Sequence, residues 1–221
     1  MFQNKSILSL FPSLVWVHEL KREDYEAMNP RLLEGVEAII TPRPPLKPGQ
    51  TWQTAQDLHL KPDFAELVAY INGAVESALE FLELEFDGFE ITGCWANVNP
   101  QGSPHVPHTH PNNYLSGVYY VRVPKGGDVI TFHEPRQQLN IISPRTRRHT
   151  KHNASQINVP VGEGKLIVFP AWFKHSVPPN AADSERVSIS FNAMFSSFAR
   201  TVSPPKWQGI SGQGATEERG Q

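Results

Sequence analysis

At 221 residues the chain is long enough for one domain with a substantial core. Twenty Lys and Arg against 22 Asp and Glu leave a formal charge of -2, which provides no general electrostatic drive toward nucleic acid or an anionic membrane. A single cysteine, Cys94, excludes an intrachain disulfide, and no apolar run approaches the roughly 20 residues that span a bilayer. The N-terminus carries no signal-peptide pattern, so a cytoplasmic protein without nucleic-acid or membrane partners is expected.

In chain order, Asn29-Pro30 reads as an N-cap followed by Pro in the first helical turn. Leu32, Leu33, Val36, Ile39 and Ile40 then recur at helical spacing up to the Pro-rich stretch from Pro42. From Pro62 onward, Phe64, Leu67, Val68, Ile71, Val75, Ala78, Leu79 and Leu82 form one apolar face, predicting a longer helix that covers a sheet. After Gly88 the texture changes to short β-type runs between turn residues. These are Ile91–Val98, Leu115–Val123, Asp128–His133, Gln156–Val159, Lys165–Phe169 and Arg186–Phe195. The expected class is mainly β with flanking α-helices, an antiparallel sandwich or open barrel. One domain is expected over 1–207, with a helical part at 1–88 and a β core at 89–200. The polar, Gly-rich segment 208–221 reads as a flexible tail.

Nine histidines are present, and three lie close together in Ser103-Pro-His105-Val-Pro-His108-Thr-His110. In a strand, residues i and i+2 share a face, so His108 and His110 project together, able to share a metal ion about 2.0–2.1 Å from each nitrogen. His105 is offset by an odd number with Pro107 between, which makes it a weaker ligand. His175, near the end of an apolar strand, is the candidate third ligand. His18, His59, His133, His149 and His152 have no ligand-spaced partner and read as structural or surface residues. Trp95 and Trp172 read as core aromatics. Arg145, Arg147, Arg148, His149, Lys151 and His152 read as a solvated basic loop, or else as a surface for an anionic partner at the mouth of the barrel.

Taken in order, His108-Thr-His110, Leu115-Ser-Gly-Val-Tyr-Tyr-Val121, Gly127-Asp-Val-Ile-Thr-Phe132, Gly164-Lys-Leu-Ile-Val-Phe-Pro170, His175 and Arg186-Val-Ser-Ile-Ser-Phe191 resemble the iron(II)- and 2-oxoglutarate-dependent oxygenases. The similarity is to the prolyl-hydroxylase-like branch, and within it to a bacterial group of unassigned substrate. It runs from Trp95 to Phe195, with an echo at Leu10–Trp16. The resemblance implies a double-stranded β-helix (jelly-roll, cupin-like) core that uses Fe(II), 2-oxoglutarate as cosubstrate and O2. The implied reaction hydroxylates an unidentified small-molecule or peptide substrate and yields succinate and CO2. It assigns His108, His110 and His175 to the metal. Arg186 takes the far carboxylate of the cosubstrate, Ser188 adds a donor on the same face, and Tyr120 and Asn97 are further cosubstrate contacts. Tyr119 faces the other side of its strand.

One position departs from the pattern. The family carries a carboxylate two residues after the first His, where this chain has His110, so the ligand set is neutral. Glu134 is the nearest carboxylate that could substitute. Two other readings therefore stay open: a three-His zinc enzyme that activates water, and a non-catalytic metal-binding cupin-like protein. Oligomeric state is not legible, and a homodimer is compatible with the sequence.

Overall fold

Side-chain alternation along the strands decides what each sheet face carries, and so where a site can form. The computed structural model describes residues 2–142 and 144–199; the expected tail at 208–221 lies outside them. The strands are β1 (Trp16–Glu19), β2 (Trp52–Gln53), β3 (Phe89–Asn99), β4 (His105–His108), β5 (Leu115–Arg122), β6 (Val129–His133), β7 (Gln156–Pro160), β8 (Lys165–Pro170), β9 (His175–Val177) and β10 (Arg186–Phe195). They form a six-stranded sheet in the order β1-β8-β5-β10-β3-β2 and a four-stranded sheet in the order β4-β9-β6-β7. All the ladders are antiparallel. Six strands fall where the sequence places them. The other four, β1, β2, β4 and β9, are two to four residues long, too short for a period of two to register.

The larger sheet has a face for each of two cores. Cys94, Ala96 and Val98 on β3, Tyr119 and Val121 on β5, Leu166 and Val168 on β8, and Val187, Ile189 and Phe191 on β10 share one side. The helices α1 (Arg22–Ile40) and α2 (Ala65–Phe81) cover it with Met28, Leu32 and Val36, and with Leu67, Ile71, Val75, Ala78 and Leu79. Each of the Val, Leu, Ile and Met side chains among them, once fully buried, is worth roughly 1.5–3 kcal/mol. The alternate residues Val118, Tyr120, Ile167 and Phe169 point at the smaller sheet and meet Ile130, Phe132, Val161 and Phe173. By the same parity Trp95, Asn97, Arg186, Ser188 and Ser190 point inward and line a cavity between the sheets.

The second helix follows the sequence expectation closely: a 3-10 turn at Pro62–Phe64 leads into α2. The first does not. α1 begins at Arg22 and runs through Pro30, so Asn29 is no cap. Instead Asn29 is buried, donates from Nδ2 to the carbonyl of Val121 at 2.8 Å, and accepts from the Tyr119 hydroxyl at 2.7 Å. This tertiary anchor and the burial of Met28 and Leu32 offset the backbone bond that Pro30 removes from the helix.

Candidate active site

Three imidazoles converge where β4 meets β9. The ladder sets His108 opposite His175, and their ring centroids are 4.4 Å apart. His110 lies just beyond the end of β4, so the His-x-His pair is not within one strand as the spacing suggested. Its backbone N–H donates to the carbonyl of Ala171 at 2.8 Å, which fixes it beside the β8–β9 turn. Its ring is 5.0 Å from that of His108 and stacks near-parallel on His175 at 5.2 Å. One nitrogen from each ring lies within 4.8 Å of the others.

Neighbouring carbonyls set the tautomers. Nδ1 of His108 donates to Val106 at 2.7 Å and Nδ1 of His175 donates to Phe173 at 3.0 Å. Each ring therefore turns the Nε2 lone pair inward, as a metal ligand must. Nε2 of His110 and Nε2 of His175 are 3.4 Å apart, a separation open to two nitrogens each about 2.1 Å from one ion. The donor set fits a divalent first-row metal.

Burial pushes His110 down to about 3 and His175 to about 4, and neighbouring imidazoles add to both shifts. Both are neutral at pH 7. The unfolded chain binds these protons near pH 6.5, the folded chain only near 3 to 4. The stability these rings contribute is therefore complete above pH 6.5 and is lost as pH falls toward 4. Urea titration of metal-free protein should show unfolding free energy dropping by at least about 1.4 kcal/mol per pH unit between pH 6 and 4; a flat profile there would contradict neutral, buried imidazoles.

At the other end of the cavity, Arg186 pairs in register with Asn99 on β3, and Ser188 lies between Asn97 on β3 and Tyr120 on β5. Arg186 is 2% exposed. Among the described residues no carboxylate forms an ion pair with it, and its Nε is buried without a hydrogen-bond partner. A lone buried cation costs several kcal/mol unless an anion joins it. Burial holds the neighbouring Tyr120 phenol protonated, well above its ordinary range. Tyr119, one residue away, faces the helices.

All seven sequence-predicted site residues, His108, His110, His175, Arg186, Ser188, Tyr120 and Asn97, line this one cavity of about 80 Å³. Asn97 is already engaged: it accepts from Gln53 Nε2 at 2.9 Å and donates to Ser190 at 3.1 Å. Gln53 and Ser190 were not anticipated. Gln53 comes from the two-residue β2, which leaves no sequence pattern; Ser190 follows from the same parity as Arg186 and Ser188. His105 also reaches the cavity, because the β4–β9 pairing slips between His105 and His108.

Other expectations change. Trp172 is 56% exposed and so is not a core residue, because it sits on the turn between β8 and β9. Trp95 is buried but faces the cavity, its ring 5.9 Å from that of His110. The Glu134 carboxylate is held by Arg136 at 2.7 and 2.9 Å and does not join the imidazoles. The basic segment 145–152 is solvated and does not line the cavity; Lys151 and His152 instead border a separate groove beside residues 7–13.

Residues 93–192 match the model of a family described as "Putative 2OG-Fe(II) oxygenase". No curated protein matches the chain. Among solved structures, the chain resembles the non-heme alpha-ketoglutarate-dependent epimerase SnoN from nogalamycin biosynthesis, with a TM-score of 0.61, 14% identity, and coverage of 83% of this chain and 77% of that one. HygX from Streptomyces hygroscopicus, solved with nickel and 2-oxoglutarate bound, aligns with a TM-score of 0.58 at 11% identity over 83% of each chain. A prolyl-4-hydroxylase from Pseudomonas putida aligns with a TM-score of 0.56 at 16% identity, covering 83% of this chain and 93% of its own. At these identities the likeness establishes the shared fold, a double-stranded β-helix. The sequence match to that family model falls on the strands that carry the site, residues 93–192, just under half of the chain.

Proposed function

We propose that the protein is an iron(II)- and 2-oxoglutarate-dependent dioxygenase that hydroxylates a small-molecule or peptide substrate. The observation that carries this reading is a buried, unpaired Arg186 sharing one cavity with three convergent imidazoles. His108, His110 and His175 hold the metal. Arg186 grips the far carboxylate of 2-oxoglutarate, and its burial strengthens that attraction. Ser188 and Tyr120, register partners on neighbouring strands, offer hydroxyls to the same cavity. Val118, Ile130 and Phe169 line the remaining wall and exclude water. When bound, Fe(II) with 2-oxoglutarate and O2 supplies oxidative decarboxylation to succinate and CO2 together with oxygen transfer to a C–H bond. Asn97, locked between Gln53 and Ser190, stiffens the wall behind the cosubstrate.

A zinc site that activates water uses the same three imidazoles but leaves Arg186 without a task. Purified protein with iron(II), ascorbate and 2-oxoglutarate should release succinate in an oxygen-dependent manner. Tight zinc retention with no affinity for 2-oxoglutarate would instead establish the zinc reading. No helix among the described residues is long and apolar enough to cross a membrane.

A further inference from the structure

His105 is the fourth imidazole of the cavity and has no task in the reading above. It comes from β4, in the four-stranded sheet, whereas Arg186 comes from β10, in the six-stranded one. His105 lies three residues before His108, an odd offset that would turn the two rings to opposite faces of a regular strand. The slip in pairing around Pro107 cancels that, so both rings face inward. Asn99, the register partner of Arg186, donates from Nδ2 to Nε2 of His105 at 2.9 Å. The same amide donates to Thr51 Oγ1 at 2.7 Å, which braces it. With Nε2 accepting, the ring proton sits on Nδ1, and that N–H has no protein acceptor among the described residues. His105 is close enough to Arg186 to feel its charge. Two donors, one from each sheet, thus border the Arg186 end of the cavity.

We propose that His105 donates from Nδ1 to the same distal carboxylate that Arg186 binds, so that the cosubstrate bridges the two sheets at Arg186 and His105. This rests on the oxygenase reading. The carboxylate then accepts from a guanidinium on one side and an imidazole on the other, and its chain length is gauged from the metal to this clamp. The contact is specific to a 2-oxo acid that carries a second carboxylate; a shorter 2-oxo monoacid such as 2-oxobutyrate has nothing to offer His105.

The test is calorimetric titration of anaerobic, iron(II)-loaded protein with 2-oxoglutarate and, separately, with 2-oxobutyrate. His105→Ala should weaken 2-oxoglutarate by roughly ten- to a hundredfold, the range for a hydrogen bond to a charged group, and leave 2-oxobutyrate unchanged. His105→Gln, which keeps an amide donor and a partner for Asn99, should recover most of the loss. Iron affinity should be the same in all three proteins. Equal weakening of both acids would overturn the proposal, because His105 would then act at the metal end or on the fold. Unchanged 2-oxoglutarate affinity in His105→Ala would also overturn it while leaving the oxygenase reading intact. Absence of 2-oxoglutarate binding in the wild-type protein would remove both.

Discussion

Replacing Arg186 with Met makes the ligand-free, iron(II)-loaded protein more stable and removes its response to 2-oxoglutarate. The guanidinium is buried, its Nε lacks a partner, and no ion pair among the described residues offsets its desolvation. Methionine fills much of the same space without a charge, and exchanging buried charged groups for packed apolar ones ranges from neutral to stabilising by about 1–4 kcal/mol. The cosubstrate loses its counter-ion at the same time, so affinity should fall at least about a hundredfold. One experiment reads both effects: melting of wild-type and Arg186→Met proteins across a 2-oxoglutarate series. The wild-type midpoint should climb with ligand, by the equivalent of about 2.7 kcal/mol at a hundred times Kd. The variant should start higher and stay flat. A variant that melts earlier and also loses iron would show that Arg186 maintains the fold and has no binding role.

Loss of His175 should be the most damaging single change to the metal site. Its ring stacks on His110, packs edge-on against Phe169 at 4.6 Å, and is oriented by the Phe173 carbonyl. Among the described residues no fourth ligand atom joins the three imidazoles: Glu134 is committed to Arg136, and His105 lies outside the cluster although it lines the same cavity. His175→Ala should lower iron affinity by at least about a hundredfold, and succinate formation with it, because even residues that only orient a ligand commonly cost ten- to a hundredfold. His110→Asp is the contrasting change. It puts a charged oxygen ligand where the related pattern has one, and iron affinity should match or exceed that of the wild-type protein. Competition with a chromogenic chelator measures both. Iron retained by His175→Ala, or lost by His110→Asp, would place the metal elsewhere.

Much of the site was legible because it depends on parity. Arg186 and Ser188 share a face in any regular strand, and Tyr119 and Tyr120 cannot. The resemblance then chose Tyr120 for the cavity, and Tyr120 does line it, while Tyr119 binds Asn29 under α1. Parity fails where pairing slips, and for that reason His105 looked like a poor inward candidate. Gln53 was invisible for a different reason. Two residues carry no period, and β2 exists only because β3 offers it an edge. The start of α1 was misplaced because Asn-Pro is a strong local signal that a tertiary contact overrode: the Asn29 amide is worth more against Val121 and Tyr119 than at a helix end. Trp172 shows the limit of residue type as a guide, for a large ring on a tight turn has no interior to enter.

Strand β10 interleaves two kinds of position. Val187, Ile189 and Phe191 serve the helical layer, while Arg186, Ser188 and Ser190 serve the cavity. Neighbours in the chain thus answer to different selective pressures, and a scan of every residue along this strand should oscillate, with expression yield dropping at one set and turnover at the other. The inward set is free to drift toward new chemistry without loosening the layer that keeps the chain folded.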